Sequence, residues 1–318
     1  MSNFNESKPN LTQTLFLMDQ DAPMKAVLFV TPCIIFFYVN GVMLFTLRKK
    51  TVFQETSRYI LFGHMLCVDT LNIFMSVVLY ICAVSRLLIM KNVCLVLLFA
   101  TTTLFQVSIL NLALMSLERY VAICIPLRHT EITNFERTHI AFGVVWTMGL
   151  IQSMSELIIF YSIDNTNTAM NFFCSRTTLF RLQIYKKLDI AFTCIFFVLV
   201  SFVIIFTYAS ISAVAKTASC DKASAKKANK TVLLHLIQLG LGAASILVGV
   251  IQEAMYVFTD LATAVNVMYF CFLVFIIFPK CLSPLIYGLR DQAFSSLFKY
   301  YFTFGKGKVK PVIIEQNV

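Results

Sequence analysis

Glu118 and Arg119 stand side by side at the end of a long apolar run, followed by Tyr120 and, shortly after, Pro126. An acid and a base in that position do charge chemistry rather than bond chemistry. Each would cost about 2.5–3.5 kcal/mol at a bilayer centre, so the pair belongs at an interface and needs partners. It either merely stops a helix or holds a charge that can be released. Asp69 is a second such group, a carboxylate in the middle of another apolar run. Its available partners are Asn40, Ser108, Asn111 and Ser283. Such a network is functional or purely structural, and the two are compatible. His64, Asp69 and His235 are too dispersed along the chain to form a catalytic cluster. No bond-making enzyme, metal site or cofactor is expected.

The elements that must position these residues are read from composition. The chain has 318 residues, 58% of them apolar and 13% charged. A soluble domain carries about a quarter charged residues, so this is a membrane chain. Apolar runs of about 20 residues cross a bilayer, and seven occur: residues 25–47, 59–82, 93–117, 140–161, 188–213, 231–252 and 263–287. Lipid leaves the backbone no partner but itself, so each run is a helix. The fold class is an all-α membrane protein, a seven-transmembrane helix bundle. The net charge of +10 is scattered through short loops, which excludes a nucleic-acid face.

Lys and Arg set the orientation. With the N-terminus outside, roughly twice as many of them fall inside as outside, which favours an inner C-terminus. The polar N-terminus lacks the layout of a cleaved signal peptide, so the first run is expected to be signal and anchor. Asn5-Glu6-Ser7 and Asn10-Leu11-Thr12 are glycan acceptors in the outer tail, at Asn5 and Asn10. Cys94 opens the third run, Cys174 lies in the outer loop after the fourth, and both meet an oxidising compartment. A disulfide between them is the favoured pairing, with Cys82 as competitor. Pro284 can kink the seventh run. Beyond it Phe294, Leu297, Phe298 and Tyr301 recur at helical spacing, with Lys299 between them. That predicts a short amphipathic helix on the inner surface. The division is an outer tail (1–24), the bundle (25–287), and an inner helix and tail (288–318). Residues 216–230 are Lys-rich, either a solvated loop or a docking surface for an inner partner.

Seven runs, Glu-Arg-Tyr closing the third and Ser-Pro-x-x-Tyr closing the seventh together resemble a rhodopsin-like G-protein-coupled receptor. Asp69, Trp146 and the Cys94/Cys174 pair add to the likeness, which covers residues 25–302. Within that family the chain looks like an odorant receptor. Residues 115–129, Met-Ser-Leu-Glu-Arg-Tyr-Val-Ala-Ile-Cys-Ile-Pro-Leu-Arg-His, are close to the third-span signature Met-Ala-x-Asp-Arg-Tyr-Val-Ala-Ile-Cys-x-Pro-Leu. Lys227-Ala228-Asn229-Lys230-Thr231 with His235-Leu236 is similar to the sixth-span entry, and Pro284-Leu285-Ile286-Tyr287-Gly288 to the seventh-span ending. Glu118 and Tyr287-Gly288-Leu289-Arg290-Asp291 look most like fish odorant receptors. Ser283 stands where Asn is usual, and Gly242-Ala243 where an aromatic pair is common.

The resemblance implies a small odorant bound in the outer half of the bundle at the plasma membrane. It implies a heterotrimeric G protein of the stimulatory, olfactory type on the inner face, raising cyclic AMP. Glu118, Arg119, Tyr120, Tyr208 and Tyr287 would form the coupling switch. By position, Thr101, Thr102, Phe105 and Gln106 could line the ligand site on the third span. Phe192 and Phe196 on the fifth, Ile246, Leu247 and Val250 on the sixth, and Leu273 and Ile277 on the seventh could face them. Helix or lipid packing competes with that role at each apolar position. An amine receptor would call for an acid near Thr101, which the third run lacks, and Lys280 is poorly placed to hold retinal. A non-olfactory receptor for a small lipid or peptide is the alternative.

Overall fold

The third span carries more polar residues through its centre than its neighbours, and such residues bond across helices where water is absent. It therefore sits in the middle of the bundle. The computed structural model of the chain describes residues 22–85, 87–163, 171–218, 240, 248, 251, 261–282 and 292–303. Among the described residues five helices are long and apolar enough to cross a membrane. They are the first span (Ala22–Arg48), second (Ser57–Val84), third (Lys91–Cys124), fourth (Phe135–Ile163) and fifth (Gln183–Ala218). Each runs past the apolar stretch expected from sequence, because helix continues into the interface where polar residues are tolerated. In the third span 56% of the apolar window is buried, against 33% or less in the others. It packs on the second, fourth and fifth.

One close approach fixes the third span against the fourth. A Cβ placed on Gly149 would meet Val107 Cγ2 at 2.6 Å, so only glycine lets the two backbones come this near. Val68, Leu104, Val107, Leu110, Val145 and Phe196 pack around that crossing.

The seventh run begins as helix at Leu261–Phe272, widens into a π turn at Leu273–Ile277 and continues helical to Leu282. A π turn inserts one residue and so rotates everything beyond it about the helix axis. Ser283, Pro284 and Tyr287 lie outside the described residues, as do Asn5, Asn10 and the sixth-span positions Ile246, Leu247 and Val250.

The inner amphipathic helix forms at Gln292–Phe302. Phe294 and Phe298 turn inward, 1% and 4% exposed, onto Met43, Phe53, Phe62 and Met65 of the inner bundle, while Lys299 points to solvent. Burying each ring contributes on the order of 1.5–3 kcal/mol. At the opposite end of the bundle, strands β1 (Leu88–Met90) and β2 (Asn171–Phe173) pair antiparallel, Leu88 opposite Phe173. Next to them Cys94 and Cys174 form the expected disulfide, and Cys82 is free.

Candidate functional site

The inner end of the third span holds the first charged group. Arg119 Nε lies 3.5 Å from Glu118 Oε2, with side chains 12% and 6% exposed. His129 Nε2 lies 3.5 Å from the other Glu118 oxygen, an attraction that exists only when the imidazole is protonated. The third span ends at Cys124, and Pro126 begins a tight turn that folds His129 back onto Glu118. Tyr120 packs on Phe206 of the fifth span at 5.2 Å. Tyr208, on the same helix, is 37% exposed.

The middle of the bundle holds three separate polar groups where the sequence predicted one. Lys280 of the seventh run reaches Asp69, Nζ to Oδ1 at 2.8 Å, and donates to Ser108 Oγ at 3.1 Å. Ser108 in turn donates to Asp69. Asp69 is 4% exposed and Lys280 11%, so this is a buried ion pair. Asn40 instead donates to Thr70, the next residue along Asp69's helix, at 3.0 Å. Asn111 belongs to a chain through His64. Trp146 Nε1 can only donate, so His64 Nε2 accepts it at 3.0 Å. The neutral ring then carries its proton on Nδ1, and the Asn111 amide 2.7 Å away accepts it only when turned so that its otherwise unpartnered oxygen faces the ring. Of the expected partners of Asp69, the structure places Ser108 on it. It leaves Asn40 and Asn111 elsewhere and adds Lys280.

The outer half holds a cluster that sequence reading missed. Arg176 follows the disulfide-bonded Cys174 and lies on the bundle. Its Nη2 donates to Glu156 Oε1 at 2.6 Å and to Asp189 Oδ1 at 2.9 Å. Its Nη1 donates to Thr102 Oγ1 at 3.2 Å and Glu156 Oε2 at 3.3 Å. Burial alone would lower the guanidinium's pKa, but Glu156 and Asp189 hold it above its ordinary value. Gln152 Nε2 donates to Glu156 at 3.2 Å and Asp189 at 3.0 Å, and its oxygen accepts from Gln106 Nε2 at 2.6 Å. The third, fourth and fifth spans and the outer loop therefore meet in one hydrogen-bonded cluster.

Residues 39–287 match the profile of the 7 transmembrane receptor (rhodopsin family). The chain is 34% identical to odorant receptor 131-2 of Danio rerio over 270 residues, covering 84% of this chain and 82% of that one. The chain belongs to the rhodopsin-like receptors, among their odorant receptors. It is 24% identical to olfactory receptor 2T1 of Homo sapiens over 289 residues, 86% of this chain and 75% of that one. Olfactory receptor 2M3 of Homo sapiens is 27% identical over 222 residues, 66% of this chain and 68% of that one. The protein is a multi-pass membrane receptor with seven transmembrane helices, and it is not an enzyme.

Among the receptor's ligand-site candidates, the structure brings some together and turns others away. Thr102 and Gln106 join the outer cluster. Phe192 and Phe196 lie against the crossing of the third and fourth spans, and Phe105 packs with Ile109 and Val200. Thr101 spends its hydroxyl on the carbonyls of Leu97 and Leu98 in its own helix. Leu273 and Ile277 correct the expectation: they pack on Phe29, Cys33, Phe36 and Ile73 of the first and second spans. The π turn that carries them rotates the seventh run out of an ideal helical register, which no periodicity argument anticipates.

Proposed function

We propose that the receptor binds a small odorant in the outer half of its bundle and activates a stimulatory, olfactory-type G protein, raising cyclic AMP. In this reading the chain lies in the plasma membrane with residues 1–24 outside, 25–287 as the bundle and 288–318 inside. Asn5 and Asn10 carry glycans. Glu118, Arg119, Tyr120, Tyr208 and Tyr287 form the switch.

One observation carries the coupling assignment: a largely enclosed Arg119 held by the buried Glu118 at the inner end of the central helix. A charge pair at such a place is costly to desolvate and has two stable arrangements, closed on itself or open to a partner. A ligand moves the balance only by its differential affinity for the two states. A swing from 1:99 to 99:1 takes about 5.5 kcal/mol. Opening releases Arg119 to the G protein, and the Asp69–Lys280 pair lies between the outer and inner groups, where helix rearrangement must pass it.

The test is cyclic AMP in cells lacking the stimulatory α subunit, with and without its olfactory form restored, during a screen of water-soluble odorants. A ligand response present only with the subunit supports the assignment. A response that persists without it assigns coupling to another G protein.

A further inference from the structure

In the outer cluster two carboxylates, Glu156 and Asp189, share one guanidinium. Among the described residues Arg176 is the one cation bonded to either acid, so the group carries a net negative charge. Glu156 is 4% exposed, and a buried excess charge is costly unless a cation completes it. Asp189 is 36% exposed, which leaves the acid within reach of a small molecule. A second observation points the same way. Gln106 is 5% exposed, its Nε2 is fixed on Gln152, and its Oε1 accepts no hydrogen bond. A buried carbonyl oxygen without a donor is normally avoided and calls for an explanation.

We propose that this cluster selects the ligand and takes a small organic cation bearing N–H donors, a protonated primary amine. The ammonium completes the charge beside Asp189 and Glu156 and gives one N–H to Gln106 Oε1. The inference rests on the odorant-receptor reading and names the chemical class of its ligand. An anionic odorant is repelled by the same excess charge, and a neutral alcohol of equal shape leaves it uncompensated. The third run offers no acid near Thr101. The fourth and fifth spans supply it instead, tied to the third through Arg176–Thr102 and Gln152–Gln106.

The experiment measures thermal unfolding of the purified receptor with butylamine, hexylamine and cyclohexylamine, each against the matching alcohol. A ligand that binds the folded state raises the unfolding temperature with dose. Asp189→Asn removes the excess charge and keeps Arg176 on Glu156, so the loop clamp survives. At least one amine should stabilise the wild type, its alcohol should not, and Asp189→Asn should weaken the amine about tenfold or more. Should that variant fail to fold, Gln106→Leu on another helix carries the same expectation. Equal effects of amine and alcohol, unchanged amine affinity in the variant, or no stabilisation by any amine overturns the proposal. Cyclic AMP measured in parallel separates the two readings. Amine binding without cyclic AMP counts against the coupling alone, and a response to neutral odorants without amine binding counts against the ligand class alone.

Discussion

Lys280→Met should strand Asp69 in the middle of the bundle. The wild-type contact is 2.8 Å, and two unit charges at that distance attract by about 6 kcal/mol at an effective dielectric near 20. Burying the two ions costs several kcal/mol each, so the net contribution of the intact pair is close to zero. Removing one partner is different. The carboxylate keeps the Ser108 hydroxyl, loses its counter-ion, and the receptor should lose about 3–5 kcal/mol. Asp69→Asn alone should also destabilise, because it leaves the ammonium. Asp69→Asn with Lys280→Met together should recover most of the loss. The assay is a double-mutant cycle on the purified receptor's unfolding temperature, with surface expression in cells as a second reading. A Lys280→Met receptor as stable as wild type would refute the buried pair. So would a double variant whose loss equals the sum of the singles, since contacting partners must couple.

Cys94→Ser should free the outer loop that carries Arg176. With the bonded cysteines 80 positions apart, about 2–5 kcal/mol of stability should be lost, read as a fall in unfolding temperature that reductant reproduces in wild type. Gly149→Ala should cost about 1–3 kcal/mol by driving a methyl into Val107, and Val107→Ala in the same chain should restore much of it. Phe294→Ala should cost about 3–5 kcal/mol by emptying the seat between the inner helix and the first two spans, whereas Lys299→Ala should change stability little.

Much of the frame was legible because membrane physics leaves few options. Apolar run length placed the first five spans, and helical spacing of Phe294 and Phe298 placed the inner helix. Compartment and position picked Cys94 and Cys174 over Cys82. The Glu118–Arg119 pair was visible as adjacent charges, but the return of His129 onto Glu118 depends on the turn at Pro126. The polar partners were much less legible. Lys280 stands 211 positions from Asp69, and its facing depends on a π turn with no sequence mark. Asn40 looked like a partner of Asp69 by depth alone, yet the adjacent Thr70 faces it instead. Glu156, Arg176 and Asp189 come from two helices and a loop, each bland on its own. Glu156 had one available signal, an acid inside an apolar run, the same signal that singled out Asp69.

The central claim is that Arg119 transmits ligand binding to the G protein. The most direct measurement is cyclic AMP in cells expressing the olfactory G protein with wild type or Arg119→Ala, matched for surface expression, across a dose series of an activating odorant. The account predicts that the wild-type response disappears in the variant while binding of the odorant, followed by thermal shift, remains. An equal cyclic AMP response from Arg119→Ala at matched expression would contradict it.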